Sequence, residues 1–439
     1  FAGDDNALFV GNSFYKDLAN FPRVFNADYN VSGYEILYTD LQDKGSGSVA
    51  YRPVTTLSFF LDSAVWGMAP FGFHATSLLL HIINTLILYA IVAVLFSTGT
   101  AFAAALIFGL HPVNAEAVAA IAYRSDLLVA FFVLAGFWAW VSFRRERPWM
   151  ALGLCAAAYG LALFSKESAL LFPLVLWVFT RSWDAGRPAR LRWYDGAAFG
   201  IIACSYLYVY FLVFPNKALG EAGFPLDGPV AYALAFVQTI AFYLKQVFWP
   251  LSAGIVPPLY AFLPAKAFSW GLLAQVLSVV FLALAFWKIS RLRPRDTWLS
   301  LWAVLFLLPA LLPGVNPNPV ALRYLYLPFA GAAVLLALGV LALWDRGKAW
   351  LSPFLRKAVC ACAIVALGGS SFLSALVWKD NFSAGSAWIR SYPDHYMGYG
   401  IRGIEFFRKG VYDRAAQDFE AAMKDPRFNN LNFHYLLGF

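Results

Sequence analysis

The residues able to do chemistry stand out because so much of the chain is hydrocarbon. Near the start, Asp4 and Asp5 are adjacent carboxylates, either of which could supply a general base. His111–Leu128 reads HPVNAEAVAAIAYRSDLL, a polar island carrying His111, Asn114, Glu116, Arg124 and Asp126 between apolar runs long enough to enter a bilayer. Lys166 and Glu167 follow one such run, and Arg323, Tyr324 and Tyr326 open another. An ionisable group at mid-membrane costs roughly 2.5–3.5 kcal/mol, so such groups usually face a cavity or a water-filled site. Cations at the mouth of a membrane cavity would hold phosphate, and a carboxylate beside them would activate a nucleophile. That combination suits a phosphorylated lipid substrate. Each residue also has a plainer use: helix-end charges snorkel, Arg124 and Asp126 could cap a helix, and His74 and His111 could be satisfied by backbone. Function is therefore read from the group and not from any one member.

The elements that must position these residues are membrane helices. Of 439 residues, 61% are hydrophobic and 13% charged, with mean hydropathy +0.62. That is the composition of an all-α polytopic membrane protein, not of a soluble domain. Aromatics at 18% suit interfacial belts of Trp and Tyr. The net charge of +8 does not point to nucleic acid, because the basic clusters lie in short loops between apolar runs. Cys155, Cys204, Cys360 and Cys362 fall inside apolar runs and read as small core residues, not as disulfides or metal ligands.

Spans are expected at about 71–96, 99–112, 124–143, 149–165, 168–181, 195–214, 267–288, 297–313, 324–344 and 357–377. The loops Arg144–Arg147, Arg181–Arg192, Arg291–Arg295 and Arg346–Lys357 set the orientation. With all four cytoplasmic the spans alternate, provided that 230–249, which contains Gln238, Lys245 and Gln246, is interfacial or re-entrant. Asp4-Asp5, the 111–128 island, Lys166-Glu167 and Arg323 then share the opposite face. The chain opens at Phe1 without Met or a signal peptide, so a further membrane helix is expected before it, giving eleven in all. Residues 1–70 are expected to form a first external loop, with Gly45–Ser48 as a flexible link and VTTLSFFLDSAVWG as an interfacial helix. Residues 71–378 form the transmembrane domain and 379–439 a separate C-terminal domain.

In that last part, Gly403, Phe406, Gly410, Tyr412, Ala415, Phe419, Ala422 and Pro426 follow the small-and-aromatic rhythm of a tetratricopeptide helix pair. A second repeat opens at Leu431. One repeat cannot bury its own apolar face, so more are expected, and such arrays bind peptide or protein.

Tyr51-Arg52-Pro53, WGMAPFGFH (Trp66–His74) with His81, HPVNAEAV, RSDLL, Ser165-Lys166-Glu167 and RYLYLP (Arg323–Pro328) occur in this order ahead of the repeat. Together they resemble the transmembrane-and-tetratricopeptide O-mannosyltransferases and their bacterial relatives, over nearly the whole chain. That family is similar to the protein O-mannosyltransferases and belongs with the GT-C glycosyltransferases. The resemblance implies a GT-C bundle and a polyprenyl-phosphate-linked sugar donor. The sugar would pass to a protein Ser or Thr hydroxyl on the periplasmic or luminal side by a single inverting displacement. The catalytic acid of the family lies in the first external loop, the place held here by Asp4 and Asp5, with Asp5 taken first. Lys166 and Arg323 would hold the phosphate, with Arg52 and Arg124 behind them. Glu116, His111 and His74 would orient the acceptor, bond sugar hydroxyls or bind a metal. Asp126, Glu167, Tyr324 and Tyr326 complete the substrate-binding group.

No metal ligands are assigned, and a divalent metal is left open. No Gly-rich phosphate loop supports a nucleotide-sugar donor. One departure concerns Arg323, preceded by Ala321-Leu322 where relatives often carry an acid, so it is expected to lack a partner. Two other readings stand beside the transferase: a related enzyme with a lipid or glycan acceptor, and a non-catalytic membrane scaffold that gathers partners through its repeats. The expected location is a bacterial inner membrane, with the endoplasmic reticulum as the alternative.

Overall fold

The computed structural model describes residues 14–25, 51–183, 191–213, 229–249, 270–311 and 320–425, and every regular element among them is helical. A surface-facing helix α1 (Pro53–Trp66) precedes α2 (Pro70–Leu95), α3 (Thr98–Leu110), a short α4 (Ala115–Ala119), α5 (Arg124–Phe143) and α6 (Pro148–Leu163). The bundle continues with α7 (Phe172–Trp183), α8 (Trp193–Tyr208), α9 (Pro229–Phe248), α10 (Trp270–Leu292), α11 (Thr297–Leu311), α12 (Tyr326–Gly347) and α13 (Pro353–Leu376). Helices α1, α2, α6 and α13 each carry Pro in the first turn, where its missing N–H costs nothing and its fixed φ starts the helix.

Among the described residues, six helical stretches are long and apolar enough to cross a membrane: Pro70–Leu95, Ile121–Phe143, Trp193–Val213, Gly271–Leu292, Leu322–Gly347 and Pro353–Leu376. The bent pair Thr98–Leu110 and Pro112–Ala119 makes a seventh if counted as one span. Within the described residues each of the ten apolar runs is helical, but α6, α7 and α11, at 16, 12 and 15 residues, are too short to cross unaided. The 230–249 stretch is one unbroken helix of 20 residues.

Helix α5 is the axis of the bundle. Of its most apolar window 61% is buried, against none for α10 and 6% for α13, which form the rim. Phe137 of α5 stacks on Trp298 at 5.4 Å and meets Phe179 edge-on at 4.8 Å and Trp302 at 5.3 Å, fastening α7 and α11 to it. Close approach of α11 to α12 requires glycine at 331, where a Cβ would lie 2.8 Å from the Leu299 carbonyl oxygen. Of the four cysteines only Cys155 is core. Cys204 and Cys362 are exposed on helix faces that the bundle leaves uncovered, so an apolar run was an insufficient sign of burial.

Helices α14 (Asn381–Ser391), α15 (Tyr396–Arg408) and α16 (Tyr412–Met423) follow. Gly410 turns between the last two at φ +73°, and Gly403 admits the Phe419 ring, which a Cβ would meet at 2.5 Å. The Arg402 fork closes on Asp418 at 2.7 and 2.8 Å. The second repeat expected from Leu431, like the 45–48 link, lies outside the described residues.

Candidate functional site

Pro112 breaks the helical run through the polar island. It has no N–H to continue α3 and forces His111 to extended backbone (φ −75°, ψ 127°). Ala120 is extended as well (φ −90°, ψ 113°), so 111–123 is a folded-in sequence of single turns between α3 and α5. The island is not a solvated loop: His111, Asn114, Glu116, Arg124 and Asp126 are each at most 6% exposed.

Around it, three distant segments join the island in one connected cluster of charge. Arg323 Nη1 lies 2.6 Å from Glu116 Oε1, and the Leu322 N–H donates to Glu116 Oε2 at 2.9 Å. The partner expected to be missing beside Arg323 is thus supplied from 207 residues away. The Arg323 guanidinium is sandwiched near Tyr123 (3.9 Å) and Tyr324 (4.9 Å). Tyr324 also offers its ring to Lys166 Nζ at 5.0 Å, and Lys166 pairs with Asp126 Oδ1 at 2.6 Å. Next to it, Glu167 accepts a forked bond from Arg52 Nε and Nη2 at 3.2 and 2.7 Å, while Arg52 Nη1 reaches Ser125 Oγ at 3.4 Å.

The cluster has depth. Arg52 and Glu167 side chains are 25% and 31% exposed, Lys166 and Asp126 are 9% and 8%, and Glu116 is 3%. Burial would raise the Glu167 pKa, but Arg52 and then Lys166 outweigh it and hold the carboxyl down at about 2. Each of these three cations faces a carboxylate, so the cluster is electrically balanced. The Lys166 ammonium has three donors, one directed to Asp126.

Arg124 is placed differently. It is 0% exposed and pairs with Asp62 of α1 at 2.5 Å. It also donates to the Phe73 carbonyl (2.7 Å) and Ser77 Oγ (3.3 Å), with Phe59 under its plane at 4.8 Å. Thr76 completes Asp62 with a 2.7 Å bond. The three consecutive residues Arg124, Ser125 and Asp126 therefore engage α1, Arg52 and Lys166 in turn.

The histidines and Tyr326 lie deeper or apart. His111 accepts from the Val113 N–H at Nδ1 (3.2 Å), so Nε2 carries the proton given to the Val247 carbonyl (3.1 Å), joining the island to α9. Tyr326, the first residue of α12, is fully buried against α2 and α3. His81 gives its Nε2 proton to the Gly109 carbonyl (3.1 Å) and accepts at Nδ1 from the Tyr326 hydroxyl (2.8 Å), which accepts from Asn84 at 3.2 Å. His74 is half-buried beside the Ala119 backbone. Asp4 and Asp5 lie outside the described residues. Among the described residues no three of His, Cys, Asp and Glu are grouped to hold a metal ion.

Asp62, His81 and Asn84 were not singled out as site residues from the sequence. The available signal was their chemistry: a carboxylate, an imidazole and an amide in apolar helices each need a partner.

Comparison with known proteins finds the same resemblance that the motifs carry. Residues 58–213 match the family model described as dolichyl-phosphate-mannose-protein mannosyltransferase, a stretch that includes Glu116, Asp126, Lys166 and Glu167. The chain is 41% identical over 108 residues to a Mus musculus protein named Protein O-mannosyl-transferase TMTC1, covering 24% of this chain and 11% of that one. It is 30% identical over 187 residues to a Drosophila melanogaster protein named Protein O-mannosyl-transferase Tmtc2, covering 41% and 19%. A Homo sapiens protein named Protein O-mannosyl-transferase TMTC2 is 32% identical over 130 residues, covering 28% and 15%. The matches thus span a fifth or less of these relatives' lengths. No solved structure matches.

Proposed function

We propose that this chain is an integral-membrane glycosyltransferase that moves mannose from a polyprenyl-phosphate donor to a protein Ser or Thr hydroxyl. The observation that carries the reading is the gathering of Lys166 and Arg323 around Tyr324, with Arg52 alongside through Glu167 and Ser125, at one end of a helical bundle. Much of that bundle matches a mannosyltransferase model. The sugar and the protein acceptor come from the names of the relatives. The lipid phosphate suits a site of clustered cations at a membrane edge.

In the reaction, Asp5 or Asp4 takes the proton of the acceptor hydroxyl, whose oxygen attacks the anomeric carbon. The bond from that carbon to the phosphate oxygen breaks, the lipid phosphate leaves with the electron pair, and the configuration inverts. Lys166 and Arg323 stabilise the departing charge. Because both cations already face carboxylates, the phosphate displaces part of that pairing, and Glu116 and Asp126 become free to bond sugar hydroxyls. The site faces the side opposite the basic loops, periplasmic in a bacterium.

The test is transfer of labelled mannose from a polyprenyl-phosphate donor to a Ser/Thr peptide by the purified full chain. Lys166→Gln is expected to cut kcat/KM at least about tenfold, from loss of a charge-assisted bond of roughly 1.5–3 kcal/mol. Donor-dependent transfer at the wild-type rate in that variant would remove Lys166 from the site. The scaffold reading is favoured by one observation, the complete pairing of the three cations, which is also what a structural network looks like. It predicts no donor-dependent transfer by the wild-type chain.

A further inference from the structure

At the end of the bundle away from the ion-pair cluster, arginines are laid on tryptophans. Arg181 Cζ lies 5.4 Å from the Trp177 ring, Arg291 Cζ 6.0 Å from Trp287, and Arg295 Cζ 3.6 Å from Trp183. With Arg293 these four cations come from the ends of α7 and α10 and the turn before α11, which pack together, and all four are exposed. The carboxylate among them, Asp296, is only 8% exposed and lies 3.7 Å from Arg293. Trp183 is itself wedged against Phe96, Phe179 and Trp298, so Arg295 rests on a fixed platform.

An arginine held against an indole, most closely Arg295 at 3.6 Å, keeps N–H groups for a phosphate and loses little side-chain entropy when it meets one. Beside the arginines the surface is hydrocarbon: Trp177 is 46% exposed, Leu284 58%, Trp287 59% and Leu292 70%. A ligand that fits has a negatively charged phosphate joined to acyl chains. We propose that Arg181, Arg291, Arg293 and Arg295 form a binding site for the headgroup of an anionic phospholipid in the adjoining leaflet. Each cation near such a surface adds to the electrostatic attraction for it. The site is independent of the transferase reading, being formed by different residues at the other end of the molecule.

The experiment is titration of the full chain, purified in neutral detergent, with phosphatidylglycerol and with phosphatidylcholine, read as Kd and as melting temperature. Phosphatidylglycerol is expected to bind at least about tenfold more tightly and to raise the melting temperature by several degrees. That preference should fall at least fivefold in Arg181→Gln/Arg295→Gln and by an intermediate amount in Arg181→Lys/Arg295→Lys, which retains charge and loses the planar guanidinium. It should be unchanged in Lys348→Gln/Lys357→Gln, at the same end on other helices. Equal binding of the two lipids by the wild type overturns the proposal, as does an unaltered preference in both arginine variants. A melting shift reproduced by inorganic phosphate at the same concentration also overturns it, because the ligand would then be the free anion.

Discussion

Arg124 shows how a charge is kept inside this bundle: no part of it reaches solvent, and Asp62, two hydroxyl oxygens and two carbonyl oxygens surround its guanidinium. Removing one member of such a pair leaves the other uncompensated, at a cost of about 3–5 kcal/mol. Arg124→Leu is therefore expected to destabilise by that amount, and adding Asp62→Leu should recover most of it, read by thermal melting in detergent. Similar loss in the single and double variants would show that packing, not charge, holds α1. The pair at the rim has a pH signature. Glu167 titrates at about 2 when folded against 4.5 as a free side chain, so Arg52–Glu167 stabilises fully above pH 4.5 and is lost as pH falls toward 2. Melting temperatures of wild type and Arg52→Gln should converge over that window and stay parallel from pH 5 to 8. The types of these residues were legible in the sequence, since Arg52, Glu116, Asp126, Lys166, Glu167 and Arg323 all stand out against apolar runs. Their pairing was not: Glu116 meets Arg323 across 207 residues, a choice made by helix packing alone. Arg124 drew attention as a cation beside Asp126, yet its partner Asp62 sits on another helix.

At the scale of elements, proline and glycine decide what the apolar runs become. Pro112 converts one run into a helix, a break and a buried turn, which is why a stretch too polar for lipid stays inside protein. Gly331 sets how near α11 comes to α12. Gly331→Val would press a branched side chain against the Leu299 carbonyl and Trp302, and it should lower the melting temperature of the whole bundle. Gly403→Val would strike Phe419 and loosen only the α15–α16 hairpin. The contrast is measurable by limited proteolysis: the hairpin should be cut early in Gly403→Val, with the bundle still resistant. Helix positions were readable because hydropathy marks them directly. Which helices lie at the axis was less so, because α5 and α10 have similar composition while 61% of one window and none of the other is buried.

At the scale of the molecule, charge is divided between two ends. The neutral, paired cluster occupies one. The other carries Arg144, in contact with Asp195, and the arginines beside tryptophan rings. Helices α14–α16 follow Trp378, which meets Tyr123 at 6.1 Å and so places the C-terminal helices at the cluster end. The measurement that reaches the centre of this account is donor-dependent mannose transfer by the purified chain, wild type against Asp4→Asn/Asp5→Asn, with folding checked by melting temperature. Transfer by the wild type and a loss of at least about a hundredfold in the double variant at unchanged stability are expected, as when a general base is removed. Undiminished transfer in the double variant would contradict it.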